Sequence, residues 1–263
     1  MKYCRICKIY NLILKRITFT ISFIVFFTHG LAQQVHVKYY HVRSPIATLY
    51  EDLYVISIQD SIISFNSGGT TSAIKKSSKP VSKNYFISKI TDNGKTKDFF
   101  FTGLNREMKY FIHDNVAKPV WKIDETKTNK ILGYHCIKAT ANFRGSEVTA
   151  YFTKELPYSV GPFKFFGLPG VILDVRENNK NFNIWKAEKV ELSVDPDINF
   201  TPKLDRYPKM NMKEFVEMKE ALLHKEMTDI VNSMPQGTKI ENGTFQKRPG
   251  LEKSFEWETM YAH

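Results

Sequence analysis

Side chains able to do chemistry are present in this chain but badly grouped for it. Cys136 stands beside His135, the pair a thiol nucleophile needs. Neighbours on a strand project to opposite faces, however, so the two cannot hydrogen-bond side by side, and Cys136 reads as a small apolar residue. Ser146 follows Gly145 but precedes Glu147-Val148, which is not a nucleophile elbow. His36 and His41 are five residues apart, a step that puts them on opposite faces of a strand. His113, His135, His224 and His263 make no His-x-x-x-His or His-Glu-x-x-His pattern, so neither a metal nor another cofactor is expected. Asp174 interrupts the apolar run Val171–Val175 and shares a face with Arg176, which leaves an Asp174–Arg176 pair or a solvent-facing carboxylate. General acid–base work would need a second carboxylate across the site. A hydrolase would therefore need Glu125, Asp174 or His135, with Glu155 a further candidate, to meet in one cleft.

Composition bounds the rest. The chain has 263 residues, 42% of them hydrophobic and 14% aromatic, with Gly 13 and Pro 11. That excludes a disordered or collagen-like polymer and allows one large or two small domains. The formal charge of +11 suggests a nucleic-acid partner, but five of the cations lie in the first 16 residues. Lys2, Arg5, Lys8, Lys15 and Arg16 form a basic, acid-free region, Ile17–Phe27 is uncharged and mostly apolar, and Gly30-Leu31-Ala32 offers small residues to a signal peptidase. Residues 1–32 thus read as an export signal cleaved after Ala32, with an uncleaved anchor as the alternative. Without them the chain carries 33 basic and 27 acidic residues, a charge of about +6 that demands no polyanion. No RNA-binding, zinc or helix-turn-helix signature appears, and export removes the protein from the chromosome, so nucleic acid is set aside. Cys4 and Cys7 fall inside the signal and only Cys136 remains, which leaves no pair for a disulfide. No cysteine adjoins the cleavage site to take a lipid.

Residues 33–263 read as a single β-rich domain. Strands are expected at Val35–Val42, Leu53–Ile58, Ser61–Phe65, Tyr85–Ile90, Asp98–Thr102, Lys109–His113, Val120–Ile123, Tyr134–Phe143, Glu147–Phe152, Val171–Arg176 and Phe182–Glu191. Gln59-Asp60 reads as a hairpin turn. Short strands with no helix between them predict a curved antiparallel sheet or open half-barrel. Residues 67–83, with Lys75, Lys76, Lys79 and Lys83, read as a long polar loop with a solvated charge run. One amphipathic helix is expected from Asn211, where Asn211 and Glu214 have capping-box spacing, to Met234. Its apolar stripe would cover the concave face of the sheet or act as a displaceable lid.

The least ordinary segment is Tyr151–Leu173. Gly161-Pro162 and Pro169-Gly170 are two backbone constraints, the second with the residue order of a type II turn whose Gly170 takes a positive φ. Between and before them lie Tyr151, Phe152, Tyr158, Phe163, Phe165 and Phe166, and Leu168 follows. Such a loop either plugs the end of the sheet or displays a sticky surface. The run Gly167-Leu168-Pro169-Gly170-Val171-Ile172 resembles the signature of the GLPGLI family, exported proteins typical of Bacteroidetes, with Val171 in place of Leu. The resemblance extends through Trp121-Lys122-Ile123, Gly133–Ala139, Phe143-Arg144-Gly145, Ala150–Thr153 and Gly161–Phe165, and fades on both sides. It implies export in a Gram-negative cell, periplasmic or outer-membrane associated, and supplies no activity, cofactor or catalytic residue.

These readings favour an exported, non-catalytic binding or accessory protein that engages a lipid, an acyl chain or an apolar protein segment. Tyr151, Tyr158, Phe163, Phe165, Phe166 and Leu168 are the expected ligand-binding residues, and Gly161, Pro162, Gly167, Pro169 and Gly170 hold the turn. In that reading Phe165→Ala and Phe166→Ala weaken binding more than folding, and in a pure plug the order reverses. The alternative is a docking module for an outer-membrane transporter or a secreted assembly, and a carboxylate hydrolase is the third reading. Oligomeric state cannot be read from the sequence.

Overall fold

The computed structural model describes residues 34–55, 62–66, 85–90, 95–192, 206–235 and 248–259. The expected signal, the turn at Gln59-Asp60 and the Lys75–Lys83 run lie outside the described residues. Twelve strands form one open sheet with the order β12-β6-β5-β4-β3-β2-β1-β11-β10-β9-β8-β7. The strands are β1 (Val35–Ser44), β2 (Ala47–Val55), β3 (Ile62–Asn66), β4 (Tyr85–Ile90), β5 (Thr96–Asn105), β6 (Met108–Ala117), β7 (Lys122–Ile131), β8 (Tyr134–Phe143), β9 (Ser146–Thr153), β10 (Val171–Glu177), β11 (Ile184–Leu192) and β12 (Lys209–Asn211). Every pairing is antiparallel except β12 with β6. Helix α1 spans Met212–Ser233, and a single turn, α2, spans Glu256–Thr259.

Alternation writes the strands. In β1, Val35, Val37, Tyr39 and His41 face inward while His36, Lys38, Tyr40 and Val42 face out. In β5, Lys97, Phe99, Phe101 and Gly103 form the inward row. Register shifts at Lys38/Tyr39, Ile172/Asp174 and Asp124/Thr128 bend the strands. The sheet curls far enough that Asp114 of β6 hydrogen-bonds Arg144 in the β8–β9 turn, although eight strands lie between β6 and β8 in sheet order.

The segment joining β9 to β10 fills the concave side. Phe165, Phe166 and Leu168 are buried with Tyr39, Phe99, Phe143, Phe152 and Trp185 in the main core. The loop is stitched to β10 from within, as Val171 N–H donates to Leu156 O at 3.0 Å and Ile172 N–H to Val160 O at 2.9 Å. Trp121 Nε1–H donates to Phe166 O at 2.8 Å, and Tyr39 O–H reaches Ile172 O at 2.6 Å.

The turn chemistry differs from the expected type II pattern. The positive φ belongs to Gly167, at 96°, and Gly170 lies outside the left-handed region. Gly170 is needed for a different reason. A Cβ there would stand 2.0 Å from Thr153 O, so only glycine lets the loop lie flat on the end of β9. Gly170→Ala is therefore expected to cost on the order of 3 kcal/mol or to prevent folding. A urea midpoint within experimental error of the parent would show that the loop can lift off β9.

The helix keeps its expected limits and packs on the sheet, but through its first turns only. Asn211 Oδ1 accepts from Glu214 N–H at 2.9 Å, and Glu214 Oε2 accepts from Asn211 N–H at 3.0 Å, completing the capping box. Only the first turns are buried, through Met212, Phe215 and Val216 against Phe101, Ile112 and Phe255. Beyond Glu226 the stripe stands clear of the sheet, with Ile230 51% and Val231 44% exposed. The aromatic loop fills the main core, and the helix packs on a separate, smaller cluster at β5 and β6.

Candidate ligand-binding cleft

The described residues enclose a cleft of about 640 Å³ between α1, the C-terminal strap (residues 248–255) and the inner ends of β1 and β11. That volume lies within the range of small-molecule sites. Its floor is a ring stack. The Trp185 indole lies 4.0 Å from the His41 imidazole, at 17° between planes, and 5.8 Å from the Phe163 ring, at 22°. Glu51 of β2 holds this stack. Its Oε2 accepts from Trp185 Nε1–H at 2.9 Å, and its Oε1 accepts from Phe163 N–H at 2.7 Å. The second bond fixes Phe163 at a φ of 55°, a conformation a phenylalanine seldom takes unaided. Burial and then the Arg43 charge push the His41 pKa down to about 3, so the imidazole is neutral at ordinary pH. His41 Nε2 is buried without a hydrogen-bond partner.

Phe215, Val216, Leu222 and Leu223 of α1 form one wall and Leu251 and Phe255 of the strap the other. The strap is firmly seated. Lys253 and Ser254 N–H donate to Arg144 O at 2.8 and 3.0 Å, and Ser146 Oγ–H to Leu251 O at 2.7 Å. Arg248 grips Glu258 through two bonds of 2.7 Å and also bonds Glu220, which ties strap to helix. Phe255 sits under two guanidinium groups, with Arg144 at 4.8 Å and Arg248 at 5.0 Å from its ring.

Behind the strap is a buried charge cluster. Arg144 and Gly145 have φ of 45° and 83°, the pair of positive angles a two-residue type I′ hairpin requires. The turn aims the Arg144 guanidinium inward, where it makes a fork to both Asp114 oxygens at 2.8 Å each. It also bonds Glu252 and Glu256. Lys164, from the middle of the aromatic loop, bonds Asp114 at 2.7 Å and Glu252 at 2.8 Å. Burial alone would raise the Asp114 pKa, but Lys164 and Arg144 outweigh it and hold the carboxyl at about 2. Lys97 is another buried cation. Its ammonium lies 5.8 and 5.5 Å from the Phe99 and Phe166 rings, and burial lowers its pKa to about 7.

The structure divides the ligand-binding residues expected from the sequence. Phe163 lines the cleft. Phe165, Phe166 and Leu168 lie in the core behind it, and Tyr151 and Tyr158 are half-buried against that core. Gly161 packs on Ile172, where a Cβ would meet the side chain at 2.9 Å, and Pro162 O accepts from Phe165 N–H at 3.2 Å. None of the chemistry-bearing candidates lines the cleft, and their carboxylates are engaged elsewhere. Asp174 pairs with Arg176 at 2.6 Å and Glu125 with Lys154 at 2.9 Å, while Glu155 accepts from His135 N–H at 2.7 Å. Cys136 is buried and its thiol pushed up to about 11 by that burial. Among the described residues no group of three His, Cys, Asp or Glu side chains is placed to hold a metal ion. No described helix is long and apolar enough to cross a membrane.

Sequence reasoning missed His41, Trp185 and the five charges of the buried cluster. Two signals were available. Arg144-Gly145 between alternating runs is a hairpin-turn pattern, and Lys164 is a lone cation inside Phe163–Phe166.

Comparison with known proteins adds one local match. A family model described as "Protein of unknown function (Porph_ging)" matches residues 143–174, the stretch holding Arg144, Lys164 and the aromatic loop. None of the curated proteins matches the chain. Two solved structures of PNGF-II are similar in part, each with a TM-score of 0.48. Their identities are 16% and 20%, over 71% and 72% of this chain, and the chain spans 33% of the length of each. An uncharacterized conserved protein from Thermus thermophilus aligns with a TM-score of 0.38 and 7% identity, over 69% of this chain and 91% of that one.

Proposed function

We propose that the chain is an exported, non-catalytic binding protein of the cell envelope whose apolar ligand seats in the cleft between α1, the strap and the His41–Trp185–Phe163 floor. The observation that carries this reading is the cleft itself, about 640 Å³ with an aromatic floor and apolar walls. A pocket of that size and lining takes up a ligand by burial of apolar surface. The basic and apolar pattern of residues 1–32 supports export. The resemblance of Gly167–Ile172 to the GLPGLI signature supports an envelope setting.

A second reading, a docking module, is favoured by the exposed stripe of Met227, Ile230, Val231 and Met234 on the free end of α1. The Phe165–Leu168 surface is spent on the core, so a partner would use this stripe instead.

Native mass spectrometry of the protein purified from its own envelope fraction separates the two. A stoichiometric small apolar mass, released and identified after extraction, is the expected result. A bare chain at its own mass, or one bound only to a protein, would remove the tight-ligand reading.

A further inference from the structure

The cleft is lined by charges as well as by apolar groups, and most of those charges are already spent. Arg248 is held by Glu220 and Glu258, Glu252 by Arg144 and Lys164, and Glu226 by Arg106 at 3.0 Å. Two lining charges have no carboxylate partner among the described residues, and both are cations: Arg43 and Lys219. Arg43 lies at the β1 bulge between Val42 and Ser44, is exposed, and lines the cleft together with His41 and Trp185, where its charge acts on the imidazole. Lys219 stands on the α1 rim, its ammonium 5.6 Å from the Phe215 ring. The buried, unpartnered Nε2 of His41 is a further polar atom at the same end of the floor.

From this we infer that the occupant of the cleft is a single-chain amphiphile with an anionic head, its chain along Trp185, Phe163 and the α1 wall and its head between Arg43 and Lys219. The inference rests on the apolar-ligand reading above and adds the sign of the head group. An anion there gains charge-assisted hydrogen bonds to cations that give up no existing ion pair. A cationic head would meet two like charges, and the carboxylates of the lining are already paired.

The test is calorimetric titration of the intact protein, below micellar concentrations, with dodecanoate, 1-dodecanol and dodecyltrimethylammonium. Dodecanoate is expected to bind tightest, at one per chain. Its affinity should rise about threefold to fourfold for each methylene added to the chain. Arg43→Gln with Lys219→Gln, both at exposed positions, should weaken dodecanoate about tenfold or more and leave 1-dodecanol unchanged. Equal binding of dodecanoate and 1-dodecanol, or tighter binding of the trimethylammonium, would overturn the anionic head and leave the apolar-ligand reading intact. Failure of all three to bind would overturn both. A dimer in sedimentation that dodecanoate does not dissociate would assign the cleft to a second copy of the chain, and that too would overturn the inference.

Discussion

Arg144→Met is expected to destabilise the protein by about 3–5 kcal/mol, because it strips the main cation from a site that stays buried. Asp114, almost wholly buried, would keep only Lys164, and Glu252 and Glu256 would lose their bonds to the guanidinium. The hairpin itself would still close, since Gly145 remains, so the loss belongs to the charges and not to the turn. Lys154→Gln is the control. It breaks the exposed Lys154–Glu125 pair and should change stability by less than about 0.5 kcal/mol. Acid unfolding supplies a second readout with a definite sign. The Asp114 carboxyl titrates at about 2 in the fold against an ordinary 3.8. Its contribution is therefore complete above pH 4 and disappears as the pH falls towards 2. In Arg144→Met the same carboxyl loses its strongest hydrogen-bond partners, so acid unfolding should move to higher pH. Urea midpoints of the parent and the variant, taken at pH 7 and across the acid range, test both statements. A loss below about 1 kcal/mol at pH 7 would show that the cluster relaxes around the missing arginine.

The cluster also shows where the sequence is silent. The strands were legible wherever apolar and polar residues alternate, and β4 and β8 fall on the expected limits, Tyr85–Ile90 and Tyr134–Phe143. The capping box at Asn211 was equally plain, because a cap is a local event. Most of β7 was not, since Asp124–Lys130 is polar throughout and nearly all exposed, and its pairing with β8 rather than burial makes it a strand. The early part of β2 hides for a related reason. Glu51 and Asp52 are buried carboxylates spent on Trp185, Phe163 and His36, partners at sequence separations no local pattern encodes. The same holds for the cleft. Its floor joins β1, β11 and the aromatic loop, and its charges pair with a strap about a hundred residues downstream of Arg144. Of the residues expected at the site, Phe163 alone lines the cleft, because Phe165 and Phe166 are buried in the core behind it.

That division of the aromatic loop predicts two mutants with opposite signatures. Phe165 is 1% exposed and packs on Phe143 at 4.9 Å between ring centres, on Trp185 at 5.8 Å and on Trp121 at 6.4 Å. Truncation to alanine removes a whole ring from a close-packed interior, and Phe165→Ala should cost about 3–5 kcal/mol. Phe163 is half-buried, touches the rings of Trp185, Phe165 and Phe143 at 5.8–6.2 Å, and has its outer face in the cleft. Phe163→Ala should cost less stability, about 1–2 kcal/mol, because part of its surface is already wet. Its effect on dodecanoate binding should be the larger of the two when both variants are assayed well below their unfolding midpoints, since it removes the floor itself. In the binding-loop reading of the sequence, loss of Phe165 or Phe166 weakens binding more than folding, and the burial of Phe165 predicts the plug's order for that residue. Urea melts paired with calorimetric titration decide it. If Phe165→Ala kept the parent's stability and lost the ligand, the ring would be a binding wall and the loop would have to open to admit the chain.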